Sequence, residues 1–416
     1  MILDGCFSLG VHVDEQSTIL DHLAQVLRQL NGVTDHLVSV LPAIESRLAR
    51  LEEDLATVVH GVSGNGPEVS IDGKLDGIQR DLQRAAADRA EHKLEVLRQL
   101  LDRNIDVFRQ IQNTNLGLSN LLMPPENAWS PMFDADEWRA GKRPETAPVA
   151  KVPLQSSVCR QEDFATDWLT YWCVQLDIFP QYGRKWWEFA FICQALWERG
   201  LLAPGHSGLG FGVGIERLPA LFAQLGCTVV ATDAPFDHAE ATGWADSSVQ
   251  YAADGLGSLR YDEICDPDTF FQRVRFRAVD MNEVPSDLAN RFDFTWSSCA
   301  FEHLGSLDAG ARFVERSIEC LVPGGVAVHT TEYTLDPLRT VETGPTVLYR
   351  ALDLAALMDR IRSSGHEVEP LDLDIGNGLL DRYVDLPPYR TEPHLKLALE
   401  GFVTTSIGLI IRKGES

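Results

Sequence analysis

The stretch GLGFGVGIERLPALFAQLGCTVVATDAP, residues 208–235, constrains this chain more than any other. It sets four glycines in seven residues, runs into an amphipathic segment and reaches Asp233 after a small, β-branched apolar run. The order reads as strand, turn, helix, strand. Leu218, Leu221, Phe222 and Leu225 recur at three- and four-residue spacing and make one apolar helical face, while Cys227 to Thr232 suits a short buried strand. Gly210, Gly212 and Gly214 fall where the first strand becomes the helix, so the backbone can turn sharply and approach a ligand with no Cβ in the way. Asp233 then stands at the carboxyl end of the second strand, where a carboxylate can take both hydroxyls of a ribose. A glycine cluster between strand and helix also serves as a plain tight turn, so the nucleoside reading needs support from elsewhere in the chain.

The glycine spacing narrows the choice. A dinucleotide fingerprint wants glycine at the first, third and sixth positions, and counting from Gly210 the sixth is Ile215. The observed order, G-x-G-x-G, resembles the first motif of class I S-adenosylmethionine-dependent methyltransferases, whose ligand has no pyrophosphate. Three later stretches extend the resemblance: FRAVDMNEVP, RFDFTWSSCAFEHLG and SIECLVPGGVAVHTTEY. The first sets Asp280 and Met281 after a short strand, where the family places an acid that accepts from the adenine amino group and an apolar residue beside the ring. The second is an alternating strand, Phe292, Phe294 and Trp296, that ends in small polar residues including Ser298 and then reaches Phe301, Glu302, His303 and Leu304. The third is a helix end, a Pro-Gly-Gly turn and a strand finishing at His329 to Tyr333. In this order they are similar to the methyltransferase group with EHL and PGG signatures, over about Gly205 to Tyr333.

What the resemblance implies is an α/β fold: a Rossmann-like, doubly wound, mainly parallel sheet with helices on both faces. It implies S-adenosylmethionine as cofactor, with Gly210, Gly212, Gly214, Asp233, Asp280, Met281 and Ser298 around it. HEVEPLDLDIG and FVTTSIGLIIRK complete the sheet as C-terminal strands. The chain departs from the family at Gly208, where an acid usually stands two residues before the first motif glycine. Its contact to the methionine amine then falls to Glu216 or a backbone carbonyl.

Methyl transfer from an activated sulfonium asks the protein chiefly for alignment, with a base where the acceptor is a hydroxyl. His303 is the candidate base, since it follows the fourth strand's carboxyl end, where open α/β sheets bind ligands; packing under the next helix is its alternative. Glu302 and His303 also resemble the acid-histidine pair that holds a divalent metal in ubiquinone-biosynthesis O-methyltransferases. There a further acid stands three residues earlier, and here that position is Cys299, so no metal is expected. His329 and Glu332 read as strand-end polarity with an acceptor-facing alternative. Tyr182, Arg184 and Lys185 precede a helix whose Trp187, Phe191, Ala195 and Leu196 share one face, and the cationic pair is placed to meet the methionine carboxylate.

Composition and texture supply the rest. The 416 residues exceed one ordinary domain, and the net charge of −25 opposes a nucleic-acid backbone or an anionic membrane surface as partner. No apolar run approaches the roughly 18 residues of a spanning helix, and MILDGCFSLGVHVDEQ lacks a basic leader, so a cytoplasmic protein is expected. Eight cysteines without a C-x-x-C pair indicate reduced thiols. From Leu23 to Val58, leucine-rich positions keep an alternating four-three spacing across Pro42, and a second helical stretch carries Leu75 to Phe108. Residues 1–122 therefore read as a helical region, either a coiled coil that makes a homo-oligomer or helices folded back on themselves or on the catalytic domain. Residues 123–153 are proline-rich and aperiodic, a linker or draped segment, and 154–416 form the methyltransferase-like domain. The expected activity is O-methylation of a small-molecule or glycan acceptor. A catalytically inactive oligomerising scaffold and an NAD-dependent oxidoreductase are the alternatives.

Overall fold

The computed structural model describes residues 129–147, 149–236 and 251–415 together with Met123. The Leu23 to Val58 seam and the second helical stretch lie outside them. Seven helices carry labels here: α1 Ala135–Arg139, α2 Asp167–Gln175, α3 Arg184–Glu198, α4 Leu218–Gln224, α5 Pro267–Arg273, α6 Leu307–Glu319 and α7 Ala351–Ser363. The strands begin with β1 Ser156–Val158, β2 Ser207–Gly210, β3 Thr228–Asp233, β4 Val274–Ala278, β5 Phe292–Ser298, β6 Gly305–Ser306 and β7 Leu321–Thr334. They continue with β8 Thr343–Gly344, β9 Glu367–Val368, β10 Leu371–Asp372, β11 Val384–Asp385, β12 Lys396–Leu399 and β13 Phe402–Arg412.

The main sheet runs β10-β1-β13-β7-β5-β2-β3-β4. Its central pairs β3/β4, β2/β3, β2/β5 and β5/β7 are parallel, and β13 returns antiparallel beside β7. The chain winds outward from β2 to β4, then returns to the other side of β2 with β5 and β7. That reversal puts a switch point between β2 and β5, where open sheets of this kind leave a crevice at the strands' carboxyl ends.

Period-two alternation divides the apolar residues into two layers. Phe294, Trp296, Val326, Val328 and Ile410 pack toward α2, α3, α4 and α5, while Leu209, Ala327, Leu409 and Ile411 pack toward α6 and α7. Helices therefore cover both faces, as a doubly wound sheet requires. On the first face Phe222 of α4 meets Phe294 and Trp296 edge-on, with ring centroids 5.5 and 5.1 Å apart. Those two rings stand opposite Gly208 and Gly210 in the β2/β5 register. A Cβ on either glycine would lie 2.3 Å from the facing ring. Both glycines make room for bulky neighbours.

The Pro-Gly-Gly segment departs from expectation. It lies inside β7 rather than before it: Phe292 pairs with Leu321 but Phe294 with Val326, so the four residues Val322 to Gly325 stand against the single Asp293 of β5. Gly324, at φ +78°, takes the left-handed conformation this irregularity needs.

Within residues 123–153 the described part drapes over the domain. Trp129 packs edge-on against Tyr182 and Trp138 against Phe179, each with centroids 5.8 Å apart. Glu198 of α3 accepts the Val152 and Leu154 N–H groups at 2.7 and 3.2 Å.

Candidate functional site

The carboxyl ends of β2, β3, β4 and β5 converge on the loop from Phe211 to Gly214. The Phe211 N–H donates to Trp296 O and the Val213 N–H to Thr232 O, so both flanking strands clamp the loop. Gly212 and Gly214 have φ of +58° and +51°, a region that disfavours side chains. A Cβ on Gly212 would lie 2.9 Å from the Ala300 Cβ and 3.2 Å from the Met281 sulfur. Gly212, Met281 and Ala300 thus meet at one point. Gly210 plays a different part from the one expected, since its missing side chain makes space for Trp296 and not for a ligand.

Asp233 ends β3 with its carboxylate almost fully buried, accepting from the N–H groups of Ala234 and Ala252 at 2.9 and 3.1 Å. Burial raises its pKa, and the N–H groups of Ala252, Ala234 and Gly214 oppose that rise. Asp280 accepts the Asn282 N–H at 2.8 Å in a local turn, which presents the neighbouring Met281 toward the glycine loop.

Beside this loop lies a charged network that the sequence reading did not find. Its centre is Glu188, on α3 and fully buried. Glu188 accepts from Lys185 Nζ at 3.0 Å, Ser298 Oγ at 2.9 Å, Cys299 Sγ at 3.2 Å and Ser406 Oγ at 2.5 Å. Burial alone would raise its pKa, but Lys185 and Arg184 hold it down at about 2. Lys185 also donates to the Ser298 carbonyl and hydroxyl at 3.1 and 3.0 Å, yet 45% of its side chain stays accessible. Lys185 is the more exposed of the two cations at this helix start, with its ammonium hydrogens given to Glu188 and Ser298. Its neighbour Arg184 is committed to an ion pair with the nearly buried Glu332, so the two cations do not act as the expected pair. Ser298 serves this network through both of its oxygens.

Glu216 is buried against Trp296, whose indole N–H donates to it at 3.2 Å. Burial raises its carboxyl to about 8, with Lys185 pulling the other way. Glu302 is fully buried and likewise raised to about 8, by burial and then by the charge of Glu332. Thr331 Oγ1 donates to Glu302 Oε2 at 3.0 Å, while Glu302 Oε1 and Glu332 Oε2 are buried with no hydrogen-bond partner. Cys299 Sγ and a carboxylate oxygen from each of these acids lie within 4.8 Å of one another. Such a trio can hold a cation only after the thiol loses its proton, which burial and Glu188 both oppose.

His303 closes the turn after β5. Its Nδ1 lies 2.9 Å from the Pro345 carbonyl, which can only accept, so Nδ1 carries the hydrogen and the lone pair is on Nε2. Burial lowers its pKa, keeping the ring neutral near pH 7. His329 has no path to an acceptor: it is fully buried between Ser297 and Ser317 at 2.8 Å each, with its pKa pushed down to about 3. Of the two strand-end groups, Glu332 alone reaches the site.

No family model matches the chain, and no curated protein matches it. Among solved structures it is similar to an S-adenosylmethionine-dependent methyltransferase from Mesorhizobium loti at 16% identity, covering 53% of this chain and 98% of that one, TM-score 0.31. It is similar to the 1,6-didemethyltoxoflavin-N1-methyltransferase of Burkholderia thailandensis at 17% identity over 65% and 94%, TM-score 0.32. It is also similar to the [4+2]-cyclase SpnF at 17% identity over 63% and 100%, TM-score 0.38. These are partial likenesses, and the functional reading rests on the chain's own residues.

Proposed function

We propose that the chain is an S-adenosylmethionine-dependent methyltransferase acting on a hydroxyl-bearing small molecule or glycan. The observation that carries this reading is the meeting of Gly212, Met281 and Ala300 at the switch point, with Asp233 on the adjoining strand end. Because Gly212 has no Cβ, Met281 and Ala300 close against the loop, and a flat nucleoside would lie on the surface they form there. Asp233 would receive the ribose hydroxyls, Met281 would flank the adenine, Asp280 would accept from its amino group, and Lys185 would meet the amino-acid carboxylate. Glu216 and Ser298 lie one layer behind. Bound there, the cofactor supplies a methyl group on a sulfonium. His303, neutral and with its lone pair on Nε2, can take a proton from an acceptor hydroxyl at the same edge.

Gly208 is the feature that favoured an inactive scaffold. Its packing against Phe294 gives it a structural reason, which weakens that alternative. Calorimetry with S-adenosylmethionine, S-adenosylhomocysteine and NAD tests the reading. We expect micromolar binding of the first two and none of NAD. Binding of NAD alone, or of none of the three, would overturn it.

A further inference from the structure

A second imidazole, His394, borders the same charged floor. Residues 383–395 fold over the start of α3: the His394 N–H donates to the Tyr182 carbonyl at 2.7 Å, and the Arg184 N–H donates to the His394 carbonyl at 3.0 Å. The backbone that carries His394 is thus joined to the two residues before and at the helix start, just ahead of Lys185. Tyr389 packs its ring on the imidazole, with centroids 5.4 Å apart, and has Arg184 and Glu332 among the charges around it.

The ring of His394 is held as a base would be. Its Nδ1 lies 2.7 Å from Oδ2 of Asp385, a carboxylate with no exposed surface, while a fifth of the histidine side chain remains accessible. Asp385 is itself fixed by the Arg390 N–H at 2.9 Å and the Tyr383 hydroxyl at 3.4 Å. A carboxylate accepts only, so the hydrogen is on Nδ1 and the lone pair on Nε2. The buried anion also faces the positive charge that forms when Nε2 takes a proton. His303 has a carbonyl in that place. A base oriented by a third, anionic group is the recurring arrangement for activating a hydroxyl.

We infer that Asp385 and His394 form an acid-imidazole pair in which His394 Nε2 takes the proton of the methyl acceptor, with Asp385 as its positioning residue. This rests on the methyl-transfer reading and puts His394 in place of His303 as its base. The acceptor oxygen gains the methyl group, its proton passes to His394, and the electrons of the broken carbon–sulfur bond stay on sulfur. The acceptor then lies over the Arg184–Glu332 pair, and a phenol or catechol suits the aromatic wall that Tyr389 provides.

The test uses 4-nitrocatechol, whose visible absorption reports its ionisation, titrated into the full chain saturated with S-adenosylhomocysteine. We expect the bound probe to be ionised at a pH where the free probe is not, and His394→Asn to abolish that difference. Asparagine keeps a donor to Asp385, so the loop stays pinned while the base is gone. Asp385→Asn should weaken the effect and displace its pH dependence. Turnover of the same catechol should fall about 10²- to 10⁴-fold in His394→Asn. Equal probe ionisation in His394→Asn and wild type would overturn the inference, as would failure of the probe to bind. A fall in melting temperature and S-adenosylhomocysteine affinity that accounts for the whole effect would make His394 a loop pin and would also overturn it. Methyl transfer fails separately, if the probe ionises as expected but S-adenosylmethionine does not bind.

Discussion

Asp233 illustrates how one carboxylate can serve the fold and a ligand together. It holds the Ala234 and Ala252 N–H groups and still has lone pairs to offer. If those lone pairs take ribose hydroxyls, each charge-assisted bond is worth about 1.5 to 3 kcal/mol. Asp233→Ala is then expected to weaken S-adenosylhomocysteine binding by roughly tenfold or more in calorimetry. A lower melting temperature with an unchanged dissociation constant would make Asp233 a loop anchor only. Glu302 gives a second residue-scale prediction, from linkage. Its carboxyl titrates near 8 in the folded chain against the ordinary 4.5. Below about 4.5 both states hold the proton. Between 4.5 and 8 the unfolded chain has released it and the folded one has not, so stability falls as pH rises through that window. Glu302→Gln should flatten the decline, raising the melting temperature at pH 8 more than at pH 5. Equal slopes in variant and wild type would mean that Glu302 is ionised in the folded protein.

At the level of elements, local patterns were readable and distant partnerships were not. The strand-turn-helix-strand order of residues 208–235 follows from short-range spacing, and α4 and β3 fall where the apolar periods put them. Met281 was singled out through the motif that follows β4, as the apolar residue beside an adenine ring. Glu188 could not be found that way. Within the tryptophan-rich α3 it reads as an ordinary helix acid, and its partners Cys299 and Ser406 lie 111 and 218 residues further on. The bulge in β7 was hidden for a similar reason, since Pro-Gly-Gly reads as a turn unless the pairing with β5 is known. Gly208 is informative in the same sense, because its reason is the ring opposite it on β5. Gly208→Ala should cost about 1 to 3 kcal/mol through overpacking, and Gly208→Asp should cost more without any gain in cofactor affinity. Combining Gly208→Ala with Phe294→Leu should recover part of the loss. Tighter S-adenosylhomocysteine binding in Gly208→Asp would show that the position still answers to the cofactor.

For the whole molecule the question is where the α/β domain begins. The proline-rich composition set the boundary near Pro153, but the draped segment ahead of it is attached by Trp129 on Tyr182, Trp138 on Phe179, the Val152 bond to Glu198 and a 2.9 Å bond from Gln194 to the Ala150 carbonyl. Tyr182 stands two residues before Arg184, at the helix start that also carries Lys185, so stripping its cover should disturb the site as well as the core. A chain beginning at Pro124 is expected to melt with the full-length protein and bind S-adenosylhomocysteine equally well. One beginning at Pro153 should melt several degrees lower and bind more weakly, as befits losing several half-buried aromatic and apolar contacts worth roughly 0.5 to 1.5 kcal/mol each. The same two chains test the heptad seam. If Leu23 to Val58 joins copies of the chain, light scattering should find both shortened forms monomeric where the full chain is not. Retention of the full-length oligomer by the form beginning at Pro124 would instead place the interface on the α/β domain, and its loss only on cutting to Pro153 would place it on the draped segment.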